Sequence, residues 1–137
     1  MFENKARWDY RMASFLPKPL IYIVDDDDAV RDSLDAYLTL KGMNVAVFGS
    51  AQELLVHEDI LPNLLIIDVN MPEIDGFMLL ETLRNRGHSA PAVLITGLGD
   101  PDTRARAERA GVAAFFDKPI DPPVLFSTLT QLLSHPV

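Results

Sequence analysis

The 137-residue chain has no cysteine. That excludes a disulfide framework, a thiolate metal site and a cysteine nucleophile, and it fits a reducing compartment. No apolar run is long enough to cross a bilayer. The N-terminus lacks the apolar stretch of a signal peptide, since residues 12–16 are too short and too mixed to serve as one. The expectation is a cytoplasmic chain with no membrane partner. Positive charge is also scarce: 12 Lys and Arg face 20 Asp and Glu, a formal net charge of −8. Nucleic-acid phosphates repel such a surface, so direct DNA or RNA binding is not expected. There is no Gly-x-x-x-x-Gly-Lys-Ser/Thr loop for a nucleotide and no Gly-x-Ser-x-Gly elbow. The histidines, His57, His88 and His135, show no metal-ligand spacing and no strand-end placement, and are expected on the surface.

What is present is an alternation. The length suits one domain with one core. Residues 1–19 stand apart as an N-terminal extension, mixing Phe2, Trp8, Tyr10 and Phe15 with basic residues and closing at Pro17 and Pro19; residues 20–137 form the domain proper. Short apolar runs at 20–24, 44–48, 64–67, 92–95 and 112–116 are expected as strands, the first and third of them buried. Between and after them lie helical patterns. One covers 29–41 with Gly42 as its stop. A second, short helix opens with the capping box Ser50-Ala-Gln-Glu53. Others cover 77–84 and 102–110, the latter stopped by Gly111. The last starts at Asp121-Pro122. Five β-then-α units imply a parallel sheet covered by helices on both faces.

The polar residues that matter sit where these strands stop. Strand one ends at Asp25 and Asp26, strand three at Asp68 and strand four at Thr96, and strand five is followed by Lys118. In an open parallel sheet all these carboxyl ends share one edge, where ligands of such folds bind. Each residue alone has an ordinary explanation. An acidic run suits a helix start, which is the reading for Asp27 and Asp28; an Asp or Thr can serve a turn; a Lys is commonly solvated. Their joint placement at the ends of different strands is what singles them out. Three close carboxylates need a cation or protons, and a hard divalent ion such as Mg²⁺ (or Mn²⁺) suits oxygen donors. Asp26 and Asp68 are the expected direct ligands with the Asn70 backbone carbonyl, and Asp25 acts through water or as a second ligand. A carboxylate can also attack phosphorus, with the metal offsetting charge and with Lys118 and the Thr96 hydroxyl binding the other phosphoryl oxygens.

From about residue 20 onward the chain resembles the receiver domains of two-component response regulators. The run Asp68-Val-Asn-Met-Pro-Glu-Ile-Asp-Gly76 is similar to that family's Asp-x-x-Met-Pro-x-x-Asp-Gly, supported by Val24-Asp25-Asp26, Ile95-Thr96-Gly97 and Asp117-Lys118-Pro119-Ile120. The resemblance implies an α/β, flavodoxin-like three-layer fold: a five-stranded parallel sheet of order 2-1-3-4-5 with five helices. It implies Asp68 as phospho-acceptor, fed by a histidine kinase or histidine phosphotransfer protein, with Asp25 and Asp26 in the metal pocket. Such a domain is a signalling module that catalyses only its own phosphorylation and dephosphorylation. The resemblance further implies a cis Lys118–Pro119 bond and a switch pair, Thr96 and Phe115. The implied readout surface on the fourth helix, fifth strand and fifth helix includes Arg104, Arg106 and Arg109, and it is also the candidate homodimer surface. Asn70 and Leu98, two residues after Asp68 and Thr96, are expected to tune phosphate lifetime.

The runs Val24-Asp-Asp-Asp-Asp-Ala-Val-Arg-Asp-Ser-Leu34 and Thr96-Gly-Leu-Gly-Asp100 resemble the nitrogen-fixation type of regulator, which usually adds a C-terminal helix-turn-helix domain. Met1 and the extension lead to the expectation of a stand-alone receiver rather than a fragment, with the extension serving dimer or partner contacts. Two alternatives stay open: a pseudo-receiver that keeps the fold without turning over phosphate, and a haloacid-dehalogenase-type phosphatase using Asp25-Asp26-Asp27. The chain is short for the latter and lacks its downstream acidic pair.

Overall fold

The computed structural model describes residues 18–57, 60–97 and 99–134. The expected extension, 1–19, therefore lies outside the described residues apart from Lys18 and Pro19. The described elements run β1 (Leu20–Val24), α1 (Asp28–Leu40), β2 (Asn44–Phe48), α2 (Ala51–Leu55), β3 (Leu64–Asp68), α3 (Gly76–Asn85), β4 (Ala92–Thr96), α4 (Pro101–Arg109), β5 (Ala114–Asp117) and α5 (Pro122–Ser134). The strands are parallel, in the order β2-β1-β3-β4-β5. This is the expected arrangement.

Strand side chains alternate between faces, and each face meets its own helices. Tyr22 and Val24 of β1, Leu65 and Ile67 of β3, and Ala92 and Leu94 of β4 pack with Leu54 of α2, Leu79, Leu80 and Leu83 of α3 and Ala107 of α4. Ile21, Ile23, Leu64, Ile66, Val93 and Ile95 point the other way, onto Leu34 and Leu38 of α1 and Leu125 and Leu129 of α5. With both faces covered, the central strands have no polar side, which is why their runs are continuously apolar.

Helix starts follow from side-chain caps. Asp27 accepts from Ala29 N at 2.9 Å, Asp75 from Met78 N at 2.8 Å and Asp100 from Thr103 N at 2.7 Å. Ser50 accepts from Glu53 N at 3.1 Å, while the Glu53 carboxylate reaches back to Gly49 N at 2.8 Å. These caps start α1, α3 and α4 one residue earlier than apolar spacing alone predicts. β5 begins two residues later than expected, at Ala114. Gly111 turns the chain with φ of +75°, and Val112 N then bonds back to Ala107 O at 3.3 Å, which ties it to the helix end rather than to the ladder.

His57 is exposed, with its ring edge-on to Tyr22 and Phe48. The surface expectation needs correction for His88. It is half-buried, and its Nδ1 is sealed from solvent without a hydrogen bond. Arg84 pulls that loop inward by donating to the His88 and Ala90 carbonyls at 3.1 and 2.7 Å. His135 lies outside the described residues.

Candidate metal and phosphoryl site

The carboxyl edge of the sheet brings Asp25, Asp26, Asp68, Thr96 and Lys118 together. Asp25 follows β1 directly and is fully buried. Its N–H donates to Phe48 O at 3.1 Å, and its carbonyl accepts from Arg31 Nη1 at 2.8 Å. Its Oδ1 accepts from Asp27 N at 2.9 Å. Asp68, the last residue of β3, is 2% exposed, and its Oδ1 accepts from Asn70 N at 3.4 Å. Asp26 stands exposed at the rim. One carboxylate oxygen from each of Asp25, Asp26 and Asp68 falls within 4.8 Å of the others.

Lys118 enters from beyond β5, across a cis peptide bond to Pro119. Its backbone N–H donates to Thr96 O at 2.8 Å. Its Nζ lies 3.0 Å from Asp25 Oδ2 and 3.5 Å from Asp68 Oδ2. Burial pushes the Asp68 carboxyl up to about 7, helped by repulsion from Asp25 and opposed by Lys118 and the Asn70 N–H. Burial alone would lower the Lys118 ammonium, but its contacts with Asp25 and Asp68 outweigh that and hold it above its ordinary value. The pocket thus contains a firmly charged lysine and more carboxylate than one lysine can balance.

Thr96 is fully buried at the end of β4, and its hydroxyl donates to Asn70 Oδ1 at 2.6 Å. Sequence reasoning gave Asn70 a backbone-carbonyl ligand role and an influence on phosphate lifetime, but no side-chain partner. The side-chain link to Thr96 joins two loops 26 residues apart, and no local spacing signals it. The Arg31 contact was missed although only six residues separate it from Asp25, because it depends on a guanidinium reaching back across the β1–α1 turn to a backbone carbonyl. The motif's final glycine has a steric role: a Cβ on Gly76 would lie 2.5 Å from Asp68 O and 2.9 Å from Val69 Cα. The start of α3 therefore presses directly on the end of β3.

Phe115, the expected switch aromatic, is half-buried with the Arg104 guanidinium 4.7 Å from its ring centre. Arg104 also pairs with Asp117 at 3.3 Å. Arg106 turns away, onto the Phe77 ring at 4.2 Å, while Arg109 is exposed. Leu98 lies outside the described residues.

A parallel sheet of this order with an acidic pocket and a lysine at its carboxyl edge defines the receiver class. Residues 21–130 match the family model described as response regulator receiver domain, and the chain belongs to that family. Receivers are signalling domains of two-component systems that pair with histidine kinases, not enzymes in the ordinary sense, and they generally bind Mg²⁺ through an acidic cluster. Membership sets aside the phosphatase alternative.

Among curated relatives, the transcriptional regulatory protein FixJ of Rhizobium meliloti is 33% identical over 84% of this chain and 57% of its own length. FixJ of Bradyrhizobium diazoefficiens is 37% identical over 74% of this chain and 50% of its own. The chain thus spans about half the length of these regulators. An uncharacterized 14.6 kDa protein of Leptolyngbya boryana is 39% identical over 81% of this chain and 87% of its own. Among solved structures, the FixJ-N crystal structure superposes with a TM-score of 0.78 at 32% identity, covering 89% of this chain and 98% of that one. A CheY-like receiver from Methanospirillum hungatei gives 0.81 at 28% identity, over 86% and 95%.

Proposed function

We propose that this chain is a working receiver in a phosphorelay: Asp68 accepts a phosphoryl group, with Mg²⁺, from a histidine kinase or histidine phosphotransfer protein. The observation that carries this reading is the meeting of three carboxylates and one ammonium from the ends of β1, β3 and β5. With all three carboxylates ionised, one ammonium would leave two negative charges unbalanced, which a divalent cation would offset. Buried Asp25 Oδ2 also fits a ligand role, since it faces the pocket beside the Lys118 ammonium, 3.0 Å away. Hard oxygen donors suit Mg²⁺, or Mn²⁺ with the same set. Asp26 and Asp68 would hold it with the Asn70 carbonyl, and Asp25 through water or directly. When bound, the ion supplies charge neutralisation for the incoming phosphoryl group.

The chain's own residues do the rest. An Asp68 oxygen attacks phosphorus as the bond to the donor nitrogen breaks, and the bonding pair leaves with the imidazole. Lys118 Nζ, already 3.5 Å from Asp68 Oδ2, moves onto a phosphoryl oxygen. The Thr96 hydroxyl gives up Asn70 for a second one, and Phe115 follows. A cleft of about 550 Å³ beside Lys118, lined by Ala29, Val30, Ile120 and Pro122 among others, offers a donor protein an apolar footing next to the pocket. The α4–β5–α5 face, with exposed Arg104, Arg109 and Val124, is the readout and the candidate homodimer surface. We place the protein in the cytoplasm, with residues 20–137 as the receiver and 1–19 as an extension of its own role.

The test is intact mass and peptide mapping after incubation with acetyl phosphate and Mg²⁺, with and without chelator. One phosphoryl group on Asp68, dependent on metal and lost in Asp68→Asn, is the expected result. No gain in a folded protein would make this a pseudo-receiver, and labelling elsewhere would overturn the site.

A further inference from the structure

We propose that Arg31 is a positioning residue for the divalent-cation site, acting through the peptide that joins Asp25 to Asp26. This rests on the cation-binding reading above. Arg31 lies in the second turn of α1 and touches none of the three carboxylates in a described contact. Its Nη1 donates instead to the Asp25 carbonyl at 2.8 Å, in part-buried surroundings.

That bond completes the restraint of Asp25. The N–H is held by Phe48 O, the carbonyl by Arg31, and Oδ1 by Asp27 N. Only Oδ2 is left to face the pocket, where the Lys118 ammonium lies 3.0 Å away. Since the Asp25 carbonyl belongs to the same rigid peptide plane as the Asp26 nitrogen, the guanidinium also fixes where Asp26 starts. Asp25 and the backbone start of Asp26 are therefore both tied to one arginine.

The arginine is itself seated. A Cβ on Gly49 would lie 3.2 Å from Arg31 Nη1 and 3.5 Å from Glu53 Oε2, so the guanidinium and the Glu53 carboxylate both rest against a glycine. The Gly49 N–H donates to the other Glu53 oxygen at 2.8 Å. The bare Cα of Gly49 leaves room for the guanidinium beside the Glu53 carboxylate.

Position and charge predict opposite signs. If Arg31 acted only as a nearby positive charge, its removal would tighten cation binding. If it positions the ligands, removal weakens binding by about tenfold, the usual scale for residues that orient metal ligands. The experiment is calorimetric titration of chelator-treated protein with Mg²⁺, without phosphodonor, for wild type, Arg31→Ala and Asp68→Asn, each checked for a cooperative unfolding transition. Arg31→Ala is expected to bind Mg²⁺ about tenfold more weakly, yet to accept phosphate from acetyl phosphate at close to the wild-type rate once Mg²⁺ saturates. Equal or tighter Mg²⁺ binding by Arg31→Ala, beside normal wild-type binding, overturns the positioning role alone. Absence of Mg²⁺ binding in the wild type overturns the cation site and this role with it. Should Arg31→Ala fail to fold, Arg31→Met keeps the side-chain stem and removes the donor to the Asp25 carbonyl, and a loss of the same sign is expected; unchanged or tighter Mg²⁺ affinity there refutes the proposal.

Discussion

Without metal, Asp68→Asn is expected to stabilise this protein at pH 8. In the folded chain burial and the Asp25 charge push the Asp68 carboxyl up to about 7, from an ordinary 3.8. Between those values the folded state keeps a proton that the unfolded chain has released, so stability falls as pH rises. The loss is complete above pH 7 and absent below pH 4. At about 1.4 kcal/mol per pH unit it reaches roughly 4 kcal/mol, a large share of the ~5–15 kcal/mol that holds a domain together. Asn has nearly the same shape and no charge, and its Oδ1 can still accept from Asn70 N. Lys118 gives up one of its two carboxylate neighbours, so the net gain expected at pH 8 is roughly 2–4 kcal/mol, shrinking to about 1 kcal/mol at pH 5. Added Mg²⁺ narrows the difference at pH 8, because the wild type binds it and the variant lacks a ligand. Urea unfolding followed by far-UV circular dichroism, at both pH values with chelator and at pH 8 with Mg²⁺, measures all of this. A variant no more stable than wild type at pH 8, or a difference that does not change with pH, would refute the reasoning.

Gly76→Ala puts a Cβ 2.5 Å from Asp68 O, where only backbone can yield; a loss of about 1–3 kcal/mol in urea unfolding is expected. Lys118→Ala leaves a folded protein, but one that labels more slowly with acetyl phosphate and, without metal, loses stability more steeply on going from pH 5 to pH 8, as the repelling carboxylates lose their counter-charge; parallel urea titrations at the two pH values test this. Ser50→Ala removes the cap on α2, which accepts from Glu53 N at 3.1 Å; thermal unfolding is expected to show a loss of about 1 kcal/mol.

The strands were legible because their burial on both faces leaves uninterrupted apolar runs. The site was legible because each functional side chain stands where such a run stops: Asp25 after β1, Asp68 at the end of β3, Thr96 at the end of β4. Element edges were less so. The late start of β5 depends on Val112 N bonding to the end of α4, a choice made by the turn at Gly111 and not by apolar spacing. Side-chain polar contacts were not legible. The Thr96–Asn70 bond spans 26 residues and depends on where two loops meet. The Arg31–Asp25 bond and the Arg84 clamp that half-buries His88 are local in sequence, but each depends on a long side chain reaching back across a turn to a backbone carbonyl.

The run from Asp68 to Gly76 reads as one motif, yet its residues divide between two physical tasks. Asp68 and Asn70 face the pocket, and their chemistry is that of charge and hydrogen bonding. Met71 and Phe77, on either side of the motif's second half, are buried in the core. Asp75 caps α3 at 2.8 Å, and Gly76 allows α3 to press on β3 while its N–H donates to Val69 O at 2.9 Å. The second half thus fixes the loop that carries the first. This separates the outcomes of mutating the two halves. Changes at Asp68 alter charge and leave the fold in place, whereas changes at Gly76 alter the fold and reach the chemistry only through the displaced Asp68 backbone.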